Sequence, residues 1–172
     1  MSATGGVGTE RTAHDFGELL AMHKDRLYVL ALSILREQTE AEDAVQEVFI
    51  RTWRSWERVS TMPGAAAWLT TVTVNHCISR HRWLARRGLL FRLPLHDTIP
   101  TTHSGFPSDG RLAELDAGYR KLTLKQRAAV TLNYLYGYSA EECAQLMHCR
   151  PGTARSHIAR ALETLRREMA DG

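Results

Sequence analysis

The sequence predicts an all-α protein made of two small helical domains joined by a flexible linker. Three observations carry this reading. Apolar residues recur every three or four positions along most of the 172 residues, and no strand-like alternation interrupts them. The pattern fails between Gly88 and Gly110, where Pro94, Pro100, Pro107, Ser104, Gly105 and Ser108 cluster. Beyond that break, two short capped stretches and a longer basic one follow in quick succession. The implied division is a disordered polar tail over 1–12, a first domain over 13–87, a linker over 88–110 and a second domain over 111–170.

In the first domain Phe16, Leu20, His23, Leu27, Leu30 and Ile34 form one stripe of a long helix. Thr39-Glu40-Ala41-Glu42 reads as a capping box that opens a second helix, with Ala41, Ala44, Val45, Val48, Phe49, Thr52 and Trp56 inward. Ser60 to Gly64 breaks the chain, with Pro63 suited to a first helical turn. A third helix is expected from about Ala65 to Arg86, burying Leu69, Val72 and Ile78.

The second domain is punctuated more sharply. Thr123 with Gln126, and Ser139 with Glu142, are two further capping boxes; Gly137 ends the helix between them. After the second box come Ala140, Cys143, Ala144 and Met147, then the turn His148-Cys149-Arg150. Pro151 opens a last helix with Ile158, Ala161, Leu162 and Leu165 inward. A short capped helix, a tight turn and a longer basic helix together make a helix-turn-helix. The last helix then turns Arg155, Ser156, Ala159 and Arg160 outward, with Thr153 at the edge. Small side chains there permit close approach to base edges, and the arginines can donate to guanine or phosphate.

Composition excludes other classes. Cys77, Cys143 and Cys149 are odd in number and lack Cys-x-x-Cys spacing, which speaks against a disulfide framework or a zinc site. The eight His show no His-x-x-x-His or His-Glu-x-x-His spacing, so no metal, cofactor or catalytic set is expected and the protein reads as a non-enzyme. No apolar run approaches the roughly 20 residues that cross a bilayer, and Met1 to Glu10 lacks a secretory apolar stretch. A cytoplasmic protein with no membrane insertion is the expectation.

Net charge is only +3, but it is unevenly placed. Glu37, Glu40, Glu42, Asp43 and Glu47 fall in a stretch with no Lys or Arg. From Val59 to His96 there is no acid, while Arg80, Arg82, Arg86, Arg87 and Arg92 are present. Arg150 to Arg167 holds five arginines against Glu163. One acidic and two basic segments suit a protein partner plus a polyanion.

With these residues the chain resembles the bacterial sigma factors of the two-domain extracytoplasmic-function (ECF) group, from about His14 to Glu168. Leu122-Thr-Leu-Lys-Gln-Arg127, Gly137 to Ala144 and Pro151 to Arg160 look like the family's second conserved domain, region 4. Glu42-Asp-Ala-Val-Gln-Glu-Val-Phe49 followed by Trp53 is similar to its polymerase-clamp-binding helix. Trp68-Leu69, Asn75 and the trailing arginines look like its −10 recognition helix in region 2.

The resemblance implies a sigma factor that binds core RNA polymerase and directs initiation at promoter DNA. Asp43, Gln46 and Glu47 would face the clamp helices of the largest subunit. Asn75 would contact a −10 base in the separated strand, with Arg80, Arg82, Arg86 and Arg87 holding the backbone. The loop from Arg58 to Gly64 matches the position of base capture. Arg155, Ser156, Arg160 and Thr153 would read the −35 element, and Asn133 matches another contact position. An anti-sigma factor able to clamp the two domains is a further implied partner.

Four positions depart from the family pattern: Ser79 stands for an Asp, Cys143 for Ile, Ala154 for Val and His157 for Arg. Ser79 removes a local partner for a following arginine, and His157 weakens the −35 phosphate grip near neutral pH. The alternative is a helix-turn-helix regulator that is not a polymerase subunit. It leaves the Glu42–Phe49 and Asn75 motifs without a role.

Overall fold

The computed structural model describes the backbone over residues 6–88 and 111–171, and side chains over 14–88 and 115–170. The linker expected over 88–110 lies, apart from Gly88, outside the described residues. Helices run in the order α1 (Gly6–Leu35), α2 (Gln38–Arg54), α3 (Trp56–Val59), α4 (Ala65–Arg86), α5 (Arg111–Lys121), α6 (Leu124–Val130), α7 (Ala140–Leu146) and α8 (Pro151–Asp171). Among the described residues there is no strand. The first helix begins at Gly6, within the stretch read as a tail.

In the first lobe α1, α2 and α4 pack on one another. Leu27, Leu30 and Ile34 of α1 meet Ala41, Ala44, Val45 and Val48 of α2, with Leu69, Val74, Cys77 and Ile78 of α4 in the same cluster. Thr52, Thr70 and Thr73 are buried too. Each hydroxyl donates to the carbonyl one turn back, on Val48, Ala66 and Leu69, which lets a polar residue occupy an apolar face.

The start of α2 differs from the expected capping box at Thr39. Arg36 takes a left-handed φ of +62°, and the chain then presents the Glu37 carboxylate to the amides of Thr39 at 3.1 Å and Glu40 at 2.5 Å. A carboxylate accepts from both amides and complements the helix dipole, so it displaces a hydroxyl as the cap. Glu42 instead accepts from Gln38.

In the second lobe both capping boxes form. Thr123 and Gln126 exchange bonds of 3.3 and 2.8 Å, and Ser139 and Glu142 bonds of 3.2 and 2.7 Å. α8 runs past α5, α6 and α7, burying Ala154, Ile158, Ala161 and Leu165. The sequence pattern does not announce the way α6 ends: it continues into a π-helical turn over Thr131–Leu135 before Gly137, at φ +73°, breaks it.

The two lobes touch. α1 lies against α6 and its π-helical extension, and α4 against α6 and α7.

Candidate nucleic-acid interface

The outer face of α2 carries Asp43 and Gln46 exposed and Glu47 half-exposed. Glu47 accepts from Arg51 at 2.8 Å, and that bond holds its carboxyl below the ordinary range. Ile50 and Trp53 continue the same face one turn on, 46% and 47% exposed. Phe16 packs edge-on against Trp53 and Trp56, at 4.9 and 5.2 Å between centroids. The helix thus presents an acidic stripe that runs into an apolar one. Sequence reasoning assigned the acids; the i, i+3, i+4 spacing from Gln46 to Ile50 and Trp53 was the available signal for the rest.

Beside it, an open groove of about 620 Å³ runs along α4, lined by Arg51, Arg54, Ser55, Trp68, Thr71, Val72, Asn75 and His148. Two exposed cations and an aromatic ring lining one groove make a surface on which a single strand can lie and stack. Trp68 is half-buried: one side meets the core and the other the groove. Arg58, from the short helix α3, stands 6.0 Å from the centre of the Trp68 ring.

Asn75 sits on the groove wall. Its amide nitrogen donates to the Thr71 carbonyl at 2.8 Å and to the Leu146 carbonyl, in the second lobe, at 3.0 Å. The four arginines beyond it do not share one fate. Arg80 is held by Glu40 at 2.6 and 3.0 Å, so α2 supplies the acid missing at Ser79. Arg82 and Arg86 are exposed, and Arg87 lies 4.4 Å from the centre of the Trp83 ring. Arg82 also lines a smaller cavity of about 170 Å³ with Lys125, His157, Asn75 and His148.

In the helix-turn-helix, the turn is closed by the Cys149 amide on the Ala144 carbonyl at 2.9 Å, with His148 left-handed at φ +49°. Thr153, Arg155, Ser156, Ala159 and Arg160 are all exposed on one side of α8. Arg155 pairs with Glu141 of α7, and Ser156 donates to Gly152 one turn back at 2.9 Å. His157 is half-buried. Burial, then Lys125 and Arg160, push its pKa below the ordinary value of 6.5. Asn133 does not project freely: its amide nitrogen donates to the Tyr138 carbonyl at 2.7 Å and braces the loop before α7. Cys143 is buried and its thiol is pushed up to about 11, chiefly by burial.

The two halves match two family descriptions: "Sigma-70 region 2" over residues 19–87 and "Sigma-70, region 4" over residues 112–165. The chain is 34% identical over 175 residues to the ECF RNA polymerase sigma factor SigE of Mycolicibacterium smegmatis, covering 95% of this chain and 65% of that relative. It is 26% identical over 167 residues to the ECF RNA polymerase sigma factor SigW of Bacillus subtilis, covering 91% and 89%. Among solved structures it resembles the sigma factor RpoE of Bartonella quintana, determined with the anti-sigma factor NepR. The TM-score is 0.74 and the identity 25%, covering 91% of this chain and 97% of the other. A regulator working through its helix-turn-helix alone would leave residues 19–87 without a counterpart. With both halves accounted for in order, the chain belongs to the ECF group of RNA polymerase sigma factors.

Proposed function

We propose that this chain is a non-enzymatic specificity subunit that works in the cytoplasm, docks on core RNA polymerase and selects promoters through two separate DNA contacts. The observation that carries it is the division of labour between exposed faces: the acidic and apolar stripe on α2 in one lobe, and the small and basic stripe on α8 in the other. Asp43, Gln46 and Glu47 meet the clamp helices of the largest subunit. Asn75, with the cations of the adjacent groove and Arg80, Arg82, Arg86 and Arg87, takes the separated −10 strand. Thr153, Arg155, Ser156 and Arg160, braced through Asn133, read −35. Residues 13–87 and 111–170 are the two working units. The relative solved with an anti-sigma factor supports a similar partner here, one that covers either face.

The test is reconstitution. The purified chain, mixed with sigma-free core polymerase, should redirect run-off transcription to a new set of start sites. Asn75→Ala should relax selectivity at −10 alone. Unchanged start sites on addition of the wild-type chain would rule the reading out.

A further inference from the structure

We propose that the chain holds a small inorganic anion of single charge, chloride being the simplest case, in the buried seam shared by Arg36, at the end of α1, and Arg127 of α6. The inference stands apart from the promoter-selection reading. A guanidinium carries five N–H donors in a fixed fork and no acceptor. Three nitrogens of these two groups, Nε of Arg127 and Nε and Nη1 of Arg36, are buried and have no hydrogen-bond partner among the described residues. Arg36 is only 4% exposed and Arg127 only 8%. Donors on a buried cation are costly to leave unmatched, so the arrangement calls for an acceptor that also brings negative charge.

The buried acids of the described residues are committed elsewhere. They are Glu37, Glu40 and Asp116. Glu37 accepts from the amides that open α2, and Glu40 from Arg80. Asp116 of α5 gives Oδ1 to Arg36 at 2.5 Å and Oδ2 to Arg120 at 3.0 Å, so two guanidiniums already share one carboxylate. Arg127 is left over. Burial, then Arg36, push its pKa down to about 10, with Tyr119 opposing, and it stays charged at neutral pH. Tyr119 does not supply the missing charge: burial raises its pKa, although Arg36 and Arg127 both pull the other way. Positive charge thus exceeds negative where water screens it least.

Size narrows the ligand further. Neither cavity described above is lined by Arg36 or Arg127, so the occupant has to be compact, and a phosphate ester finds no room of that kind here. A single small anion accepts charge-assisted bonds from both guanidiniums and offsets the repulsion between them.

The test is thermal melting of the full chain at constant ionic strength, with sodium chloride exchanged stepwise for sodium gluconate, whose anion is too bulky for a buried seam. The melting temperature should climb with chloride and level off, gaining roughly 3–6 °C at a tenfold excess over the dissociation constant. Arg127→Met, which removes the surplus cation while keeping an unbranched side chain, should fold and melt at one temperature in both salts. A wild-type melting temperature indifferent to the exchange overturns the proposal and leaves the seam to water. An equal gain in wild type and Arg127→Met overturns it too, since the effect is then one of salt in general. Should Arg127→Met fail to fold, crystals of the wild-type chain soaked in bromide decide the matter. An anomalous peak within hydrogen-bond distance of Arg36 and Arg127 supports the site, and its absence there overturns it.

Discussion

Arg80 holds Glu40 with two of its nitrogens, Nε to Oε2 at 2.6 Å and Nη2 to Oε1 at 3.0 Å, and so ties α4 to α2. Glu40 is buried, and the bond lifts the Arg80 pKa above its ordinary value. Arg80 thus has a packing duty that exposed Arg82 and Arg86 do not share.

Arg80→Ala should lower thermal stability by on the order of 2 kcal/mol, because it strands a buried carboxylate, with the partial exposure of Arg80 tempering the loss. Arg86→Ala should leave the melting temperature within a degree or so and instead reduce the salt slope of DNA binding by about one. Melting curves and salt titrations on the two variants check this. Equal behaviour would mean that the Glu40 pair is ornamental.

Stability should fall on mild acidification. His76, His81 and His157 all have pKa values below the ordinary 6.5, in each case first through burial. Arg51 and Arg80 add to this at His76 against Glu47 and Glu40, Arg127 at His81, and Lys125 and Arg160 at His157. Below pH 6.5 the unfolded chain takes up protons that the native chain refuses. Their contribution is complete above that pH and is lost as pH falls through the lowered native values. The melting temperature should decline from pH 7.5 to 5.5, and His81→Gln should flatten the decline.

On the helix-turn-helix, Arg160→Ala should cost roughly 1–3 kcal/mol of discrimination between −35 sequences. Glu141→Gln should act in the opposite sense. It releases Arg155 and removes an exposed acid beside the DNA-facing side of α8, so duplex binding should tighten. Anisotropy with a promoter duplex measures both, and weaker binding by Glu141→Gln would mean that the ion pair positions Arg155 rather than restraining it.

At the α2 face, reversing Asp43 and Glu47 to Lys should abolish co-purification with core polymerase. Trp53→Ala should weaken it by about 1–3 kcal/mol, as expected for an aromatic anchor at a rim of charge. Gel filtration of the mixed components provides the readout, and full retention by both variants would place the docking surface elsewhere.

Helical periodicity made most of this fold readable in advance. Leu27, Leu30 and Ile34, the two capping boxes of the second lobe and the inward row Ile158, Ala161 and Leu165 stand where spacing put them. The misplaced cap at Glu37 depended on a left-handed Arg36, a backbone choice that a long charged side chain does not advertise. Thr70 and Thr73 hid in the core by bonding backward along their own helix, so a search for apolar stripes passed over them. The groove needed side chains from α2 and α4 together, and the Asn75–Leu146 bond joins residues 71 apart. No local rule reaches such distances. The outward row on α8 was local, and so it could be read.

The π-helical turn at Thr131–Leu135 has a bearing on how the lobes came to fit. Closing its hydrogen bonds over five residues rather than four adds one position to the circuit, rotating the downstream chain by about 100°. That offset lets Tyr136 face Arg26 while Tyr134 and Leu135 stay outside at 64% and 48% exposure. Removing one residue from the turn would restore ordinary winding and carry the Tyr136 ring away from α1. A length change of a single codon would then uncouple the halves while leaving each helix stack whole.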